Sequence, residues 1–289
     1  MGELESIANG QPERLAPVVA VGGVLTIKQV LGLYAPILGE STDTLPASDR
    51  FLPIPRQNLG EPDDMLDIYE EKLVNIYEKL GGPMVVVGHS LGGLVAEMAG
   101  LRHPDKVAAV VMLAGAQEGI ARHTPSSYAL VRALNRPETR HINRRSDFMQ
   151  GHRENVSKLW SPAVGHYAIS PMVDDLILPP QGLRAKLPEG QTAHRYVAAP
   201  DSRAARFLLR MVPGMPSDVE ILPSRPTTHY DLPLAPAVVK HVTEIRRVAA
   251  TGDELATVRT HRRLYDGSRS RRVAHELRAG WDISDPAAA

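Results

Sequence analysis

Short runs of β-branched and apolar residues alternate along the chain with longer stretches whose apolar positions recur at steps of three and four. PVVAVGGV at 17–24 is a β-branched run closed by two glycines, and RFLPIP at 50–55 is a second short apolar run. KQVLGLYAPIL at 28–38 has helical spacing between them. From Asp63 to Leu80, residues Met65, Ile68, Tyr69, Leu73, Ile76, Tyr77 and Leu80 share one helical stripe, which Gly81 and Gly82 close. MVVVG then predicts a strand, Leu91–Arg102 a helix, and VAAVVMLAG at 107–115 another strand. The same rhythm returns at 194–199, 205–212, 218–223 and 235–248. Strands that alternate with helices predict a mostly parallel sheet flanked by helices on both faces.

Between these two regular regions the pattern breaks. Residues 118–190 are rich in Pro, Arg, Ser and His, with helical fragments near SSYALVRAL and SDFMQGHRENVSKLW. An irregular insertion of that size in a regular α/β pattern is expected to carry function. It predicts a helical cap over the carboxyl ends of the strands. The expected organisation is a core of residues 1–117 and 191–250, a cap or lid of 118–190, and a peripheral extension of 251–289. That last segment holds seven arginines between Arg259 and Arg278.

Composition narrows the chemistry. The chain has 289 residues, 43% hydrophobic and 23% charged, with a formal net charge of zero. This is enough apolar material for a large core, and it gives no reason to expect nucleic acid as a partner. The absence of cysteine removes disulfides, thiolate nucleophiles and thiolate-held zinc together. No metal cluster stands out and no cofactor is expected. Neither a spanning apolar run nor a signal-like start is visible, so a cytoplasmic location is expected, without a membrane span.

One break in the pattern asks for an explanation. In MVVVGHSLGGL, residues 84–94, a polar serine interrupts an apolar run between a predicted strand and a predicted helix. Gly88 and Gly92 bracket Ser90, giving G-x-S-x-G in the strand–turn–helix setting of a nucleophile elbow. There the serine hydroxyl stands at a helix N-terminus, where amide donors favour negative charge. The alternative is that Ser90 only caps the helix that starts at Leu91.

The stretch MVVVGHSLGGLVAEMAGLRHPDKVAAVVMLAGA resembles the elbow, helix and next strand of the α/β-hydrolase superfamily. The resemblance extends over about residues 17–117 and 194–248. It implies an α/β-hydrolase fold with the cap inserted after the strand that follows the nucleophile helix. It also implies a chain order of serine, acid and histidine. Asp201 in YVAAPDSRAAR, directly after the strand at 194–199, is the expected acid. Asp174 and Asp175 lie too early for that scheme, and Asp231 is too close in sequence to the histidine. Among 11 histidines, His229 in DVEILPSRPTTHYDLP is the expected base, because it follows the last strand. His241 falls on an apolar helical stripe, and His89 is expected to point away from the solvent-facing side of Ser90.

Acyl transfer also needs donors for an oxyanion. The resemblance implies the amide of Leu91 and one from the loop VGGVLT, where Val24 is favoured and Gly23 is second. Gly22 stands where the family often has histidine. Gly23, His89, Tyr128, Phe148 and Trp160 are the candidate substrate contacts. Between Gly119 and Lys158 eight Arg or Lys face three Asp or Glu. That excess suits an anionic or carrier-linked acyl group, or simply a solvated lid. The expectation is a serine hydrolase acting on a small-molecule ester, thioester or lactone through an acyl-enzyme on Ser90. An acyltransferase or cyclase with the same triad is the first alternative, and a non-hydrolytic lyase or binding protein is the second.

Overall fold

In the computed structural model the described residues are 15–24, 31–39, 45–54, 62–117, 119, 146–174, 183, 193–212 and 215–251. Seven strands form one parallel sheet in the order β2-β1-β3-β4-β5-β6-β7. The strands are β1 Val18–Val24, β2 Phe51–Ile54, β3 Met84–His89, β4 Val107–Leu113, β5 Gly165–Pro171, β6 His194–Ala199 and β7 Val219–Pro223. The helices are α1 Leu31–Leu38, α2 Pro62–Leu80, α3 Leu91–Arg102, α4 Asp147–Leu159, α5 Arg203–Met211 and α6 Pro236–Thr251.

Period-two alternation in the strands divides the core between the two faces of the sheet. Val19, Val21 and Val86 pack with Leu73 of α2, Leu94 of α3, Met149 of α4 and Leu209 of α5. Val18, Ala20, Val85 and Val87 face the other way, against Tyr34 of α1 and Val238 of α6. The result is a helix–sheet–helix sandwich in which β3 is buried along its whole length. Strands covered on both faces read as continuous apolar runs, which is why VVV was so legible. Each such valine contributes about 1.5–3 kcal/mol by leaving water.

The structure corrects the predicted organisation in one respect. Residues 147–171 belong to the core and not to a cap. Helix α4 buries Met149, His152 and Val156, and β5 lies between β4 and β6. The run GHYAISP was hidden as a strand by its glycine and proline ends and by the irregular sequence around it. Of the rest of the predicted insertion, only Ser146, residues 172–174 and single residues are described. The segment after 251 also lies outside the described residues. The expected run at 205–212 is part of helix α5.

Candidate active site

Ser90 is the only residue between the end of β3 and the start of α3. Its backbone is left-handed, with φ 56° and ψ −122°, a conformation that costs a non-glycine residue of order 1–3 kcal/mol. Its N–H donates to the Leu113 carbonyl at 2.9 Å, which ties the turn to β4. The turn closes because the flanking glycines have no side chains. A Cβ on Gly88 would stand 2.1 Å from the Gly92 carbonyl oxygen, and one on Gly92 would stand 2.3 Å from that of Val21.

The capping alternative for Ser90 fails by comparison with the other helices. Ser146 precedes α4 and Ser202 precedes α5, both with extended backbones, and their hydroxyls accept from Met149 N–H and Ala205 N–H. Ser90 precedes α3 and makes no side-chain capping bond. Its strain therefore is not repaid by a cap, and its hydroxyl remains available for chemistry.

His229 lies in the loop after β7, and its Nδ1 is 3.0 Å from Oδ2 of Asp174. Both side chains are nearly inaccessible to solvent. Asp174 follows β5, two strands away from the elbow strand. This corrects the expectation for Asp201, which is exposed and pairs with Arg206 of its own helix turn. Asp231 is likewise engaged elsewhere, accepting from the Thr228 hydroxyl at 2.8 Å. The error follows from the missed strand: with β5 unrecognised, Asp174 looked too early in the chain.

His89 joins the loops together. Its Nε2 is 2.7 Å from the carbonyl oxygen of His229, and its Nδ1 is 3.1 Å from the hydroxyl of Tyr34. The two imidazole rings lie with centroids 4.8 Å apart. Burial first, and then the neighbouring His229, push His89 down to about 3, so it is neutral throughout the ordinary pH range. His89 is buried, and its ring contacts bind the site together and give no sign of a substrate contact.

The end of β1 lies directly against Ser90. A Cβ on Gly23 would stand 2.8 Å from Ser90 Cβ and 3.3 Å from its Oγ, so only glycine lets the backbone approach this closely. The backbone of Gly23 bears on the Tyr34 hydroxyl and partly opposes the burial that pushes that phenol up. Val24 is the last residue of β1, and Leu91 is the first residue of α3. Tyr128 lies outside the described residues. Phe148 packs on the core, and Trp160 stacks on His166 with centroids 3.8 Å apart, so the structure assigns both to packing. No group of three metal-ligating side chains occurs among the described residues.

A family profile agrees with this architecture. The sequence profile described as alpha/beta hydrolase fold matches residues 46–153, which include the elbow. Similar solved structures include a monoacylglycerol lipase from Paleococcus ferrophilus. It is 16% identical, with 79% of this chain and 94% of that one covered, at a TM-score of 0.43. Lipase BlEst2 from Bacillus licheniformis is 15% identical, covering 78% and 89% at 0.41. Est1E from Butyrivibrio proteoclasticus is 14% identical, covering 83% and 90% at 0.41. No curated protein matches in sequence. The parallel sheet and the elbow are those of an α/β-hydrolase fold, which the profile matches over residues 46–153.

Proposed function

We propose that this protein is a serine hydrolase of small-molecule carboxylic esters, with Ser90 as nucleophile, His229 as base and Asp174 as the orienting acid. The observation that carries the reading is the His229 Nδ1–Asp174 contact of 3.0 Å, on a loop whose backbone is bonded to the residue before Ser90. A carboxylate on Nδ1 fixes the tautomer with the proton there and leaves Nε2 as the basic nitrogen. Ser90 Oγ then attacks the ester carbonyl carbon while Nε2 takes its proton. The carbonyl π electrons move to oxygen, and amide donors stabilise the charge. Collapse breaks the bond to the leaving alcohol, which receives the proton from Nε2. Water attacks the acyl-enzyme by the same route and releases the acid and Ser90.

Leu91 N–H, at the first position of α3, is one oxyanion donor in this reading. Val24 N–H, at the end of β1, is the second. The strained, uncapped Ser90 backbone supports its role as nucleophile. The test is labelling by a fluorophosphonate beside turnover of chromogenic esters of increasing chain length. The wild type should label and turn over, and Ser90→Ala should do neither. An unlabelled wild type that also leaves every ester intact would end the proposal, and equal product with an added alcohol acceptor would move it towards acyl transfer.

A further inference from the structure

The hydrogen bonds around His89 have only one consistent direction. The His229 carbonyl can only accept, so His89 Nε2 must carry the proton that spans the 2.7 Å between them. A neutral imidazole carries one proton, so Nδ1 can only accept. The 3.1 Å contact with Tyr34 must therefore be the phenol donating to Nδ1. With its proton committed, the Tyr34 oxygen is left to accept, and the backbone of Gly23 bears on it. The four groups thus form one directed series from the oxyanion loop, through α1 and the elbow, to the base loop. Tyr34, His89 and His229 are all buried, so water does not compete for these bonds.

We propose that Tyr34 and His89 are positioning residues that fix the oxyanion loop and the base loop relative to Ser90. The inference rests on the catalytic reading above and adds two side chains that touch no substrate. Asp174 sets how the His229 ring is turned, but a single contact to the ring leaves the backbone of that residue able to shift. The His89 bond to the His229 carbonyl removes that freedom. At the other end, Tyr34 bears on the backbone of Gly23, next to Val24, and so ties the end of β1 to the elbow. The Tyr34 ring is held separately by packing on Phe51, with centroids 4.8 Å apart, so its hydroxyl can be removed without removing its packing.

The variants Tyr34→Phe, His89→Leu and His89→Gln test this. Tyr34→Phe should lower kcat by about tenfold to a hundredfold with KM within about twofold, as a misplacement near 1 Å would. Affinity for a boronate that mimics the tetrahedral species should fall by the same factor as kcat/KM. His89→Leu should lose more than Tyr34→Phe. His89→Gln, whose amide N–H can reach the His229 carbonyl, should recover at least about tenfold of that loss. A purely structural role would instead lower the fluorophosphonate-reactive fraction and leave kcat per reactive site unchanged.

Imidazole ¹⁵N spectra read the series without turnover. His89 should hold the Nε2–H tautomer from pH 8 down to about pH 4.5, and Tyr34→Phe should move the His229 signals. Titration of His89 near its ordinary value, or folded variants that keep kcat within about threefold, would overturn the proposal. Failure of wild type to label at Ser90 would count against the hydrolase reading alone, because the spectra still decide the positioning series.

Discussion

The molecule contains two buried histidine–carboxylate contacts that look alike in isolation. His229 Nδ1 lies 3.0 Å from Asp174, and His152 Nε2 lies 2.8 Å from Glu97, with all four side chains almost fully enclosed. Their surroundings separate them. His229 and Asp174 stand on loops after β7 and β5, and the His229 carbonyl is bonded to the residue before the strained serine. His152 and Glu97 lie within α4 and α3, where Glu97 Oε1, His152 Nδ1 and both nitrogens of nearby His166 are buried with no hydrogen-bond partner among the described residues. A buried carboxylate on an imidazole therefore does not by itself mark a catalytic base. What distinguishes the first pair is its tie, through His89, to the elbow, where the Ser90 hydroxyl makes no capping bond.

The largest predicted effect is on turnover at the first pair. Ser90→Ala and His229→Ala should each reduce kcat by about 10⁴-fold to 10⁶-fold. Ser90→Ala should leave the melting temperature little changed, whereas His229→Ala leaves Asp174 enclosed without its partner and should lower it. Equal loss of activity and thermal stability in Ser90→Ala would erase the distinction between the pairs. At the second pair the expected result is reversed. His152→Leu leaves Glu97 enclosed without its partner and should cost about 3–5 kcal/mol of stability, measured by urea unfolding. Turnover per folded molecule should stay close to wild type. Replacing both residues by leucine should recover most of that loss, since apolar packing can match a buried pair.

The smallest effect concerns acid sensitivity beside the second pair. Burial pushes His166 down to about 4 from its ordinary value of 6.5, and Glu97 opposes this only partly. The unfolded chain takes up this proton more readily than the folded one. Stability is therefore intact above about pH 6.5 and declines as pH falls towards 4, by up to about 1.4 kcal/mol per pH unit. His89, held at about 3, acts with the same sign. His166→Phe keeps a ring against Trp160 and should flatten the melting-temperature profile between pH 6.5 and 4. An unchanged slope would remove His166 as a cause.

What could be read from the sequence depended on how local the cause was. The elbow was legible because its geometry needs small residues at fixed spacing: Gly88 and Gly92 contact backbone that any Cβ would strike. The strands around it were legible because enclosure on both faces writes continuous apolar runs. Strand β5 was not, because GHYAISP opens on glycine and histidine and is set within irregular sequence. That one omission shifted the expected acid from Asp174 to Asp201. The Tyr34–His89 contact joins residues 55 positions apart, through a hydroxyl that any apolar stripe would tolerate. No periodicity encodes such a contact, and only the folded sheet brings its two ends together.

The central claim is tested most directly by kcat/KM on one activated ester for Asp174→Asn beside Asp201→Asn. An orienting aspartate that loses its charge typically lowers turnover by about 10⁴-fold. The account predicts a loss of that order for Asp174→Asn and a change within about threefold for Asp201→Asn, with both variants folded. Near-normal turnover in Asp174→Asn, or a collapse in Asp201→Asn, would contradict it.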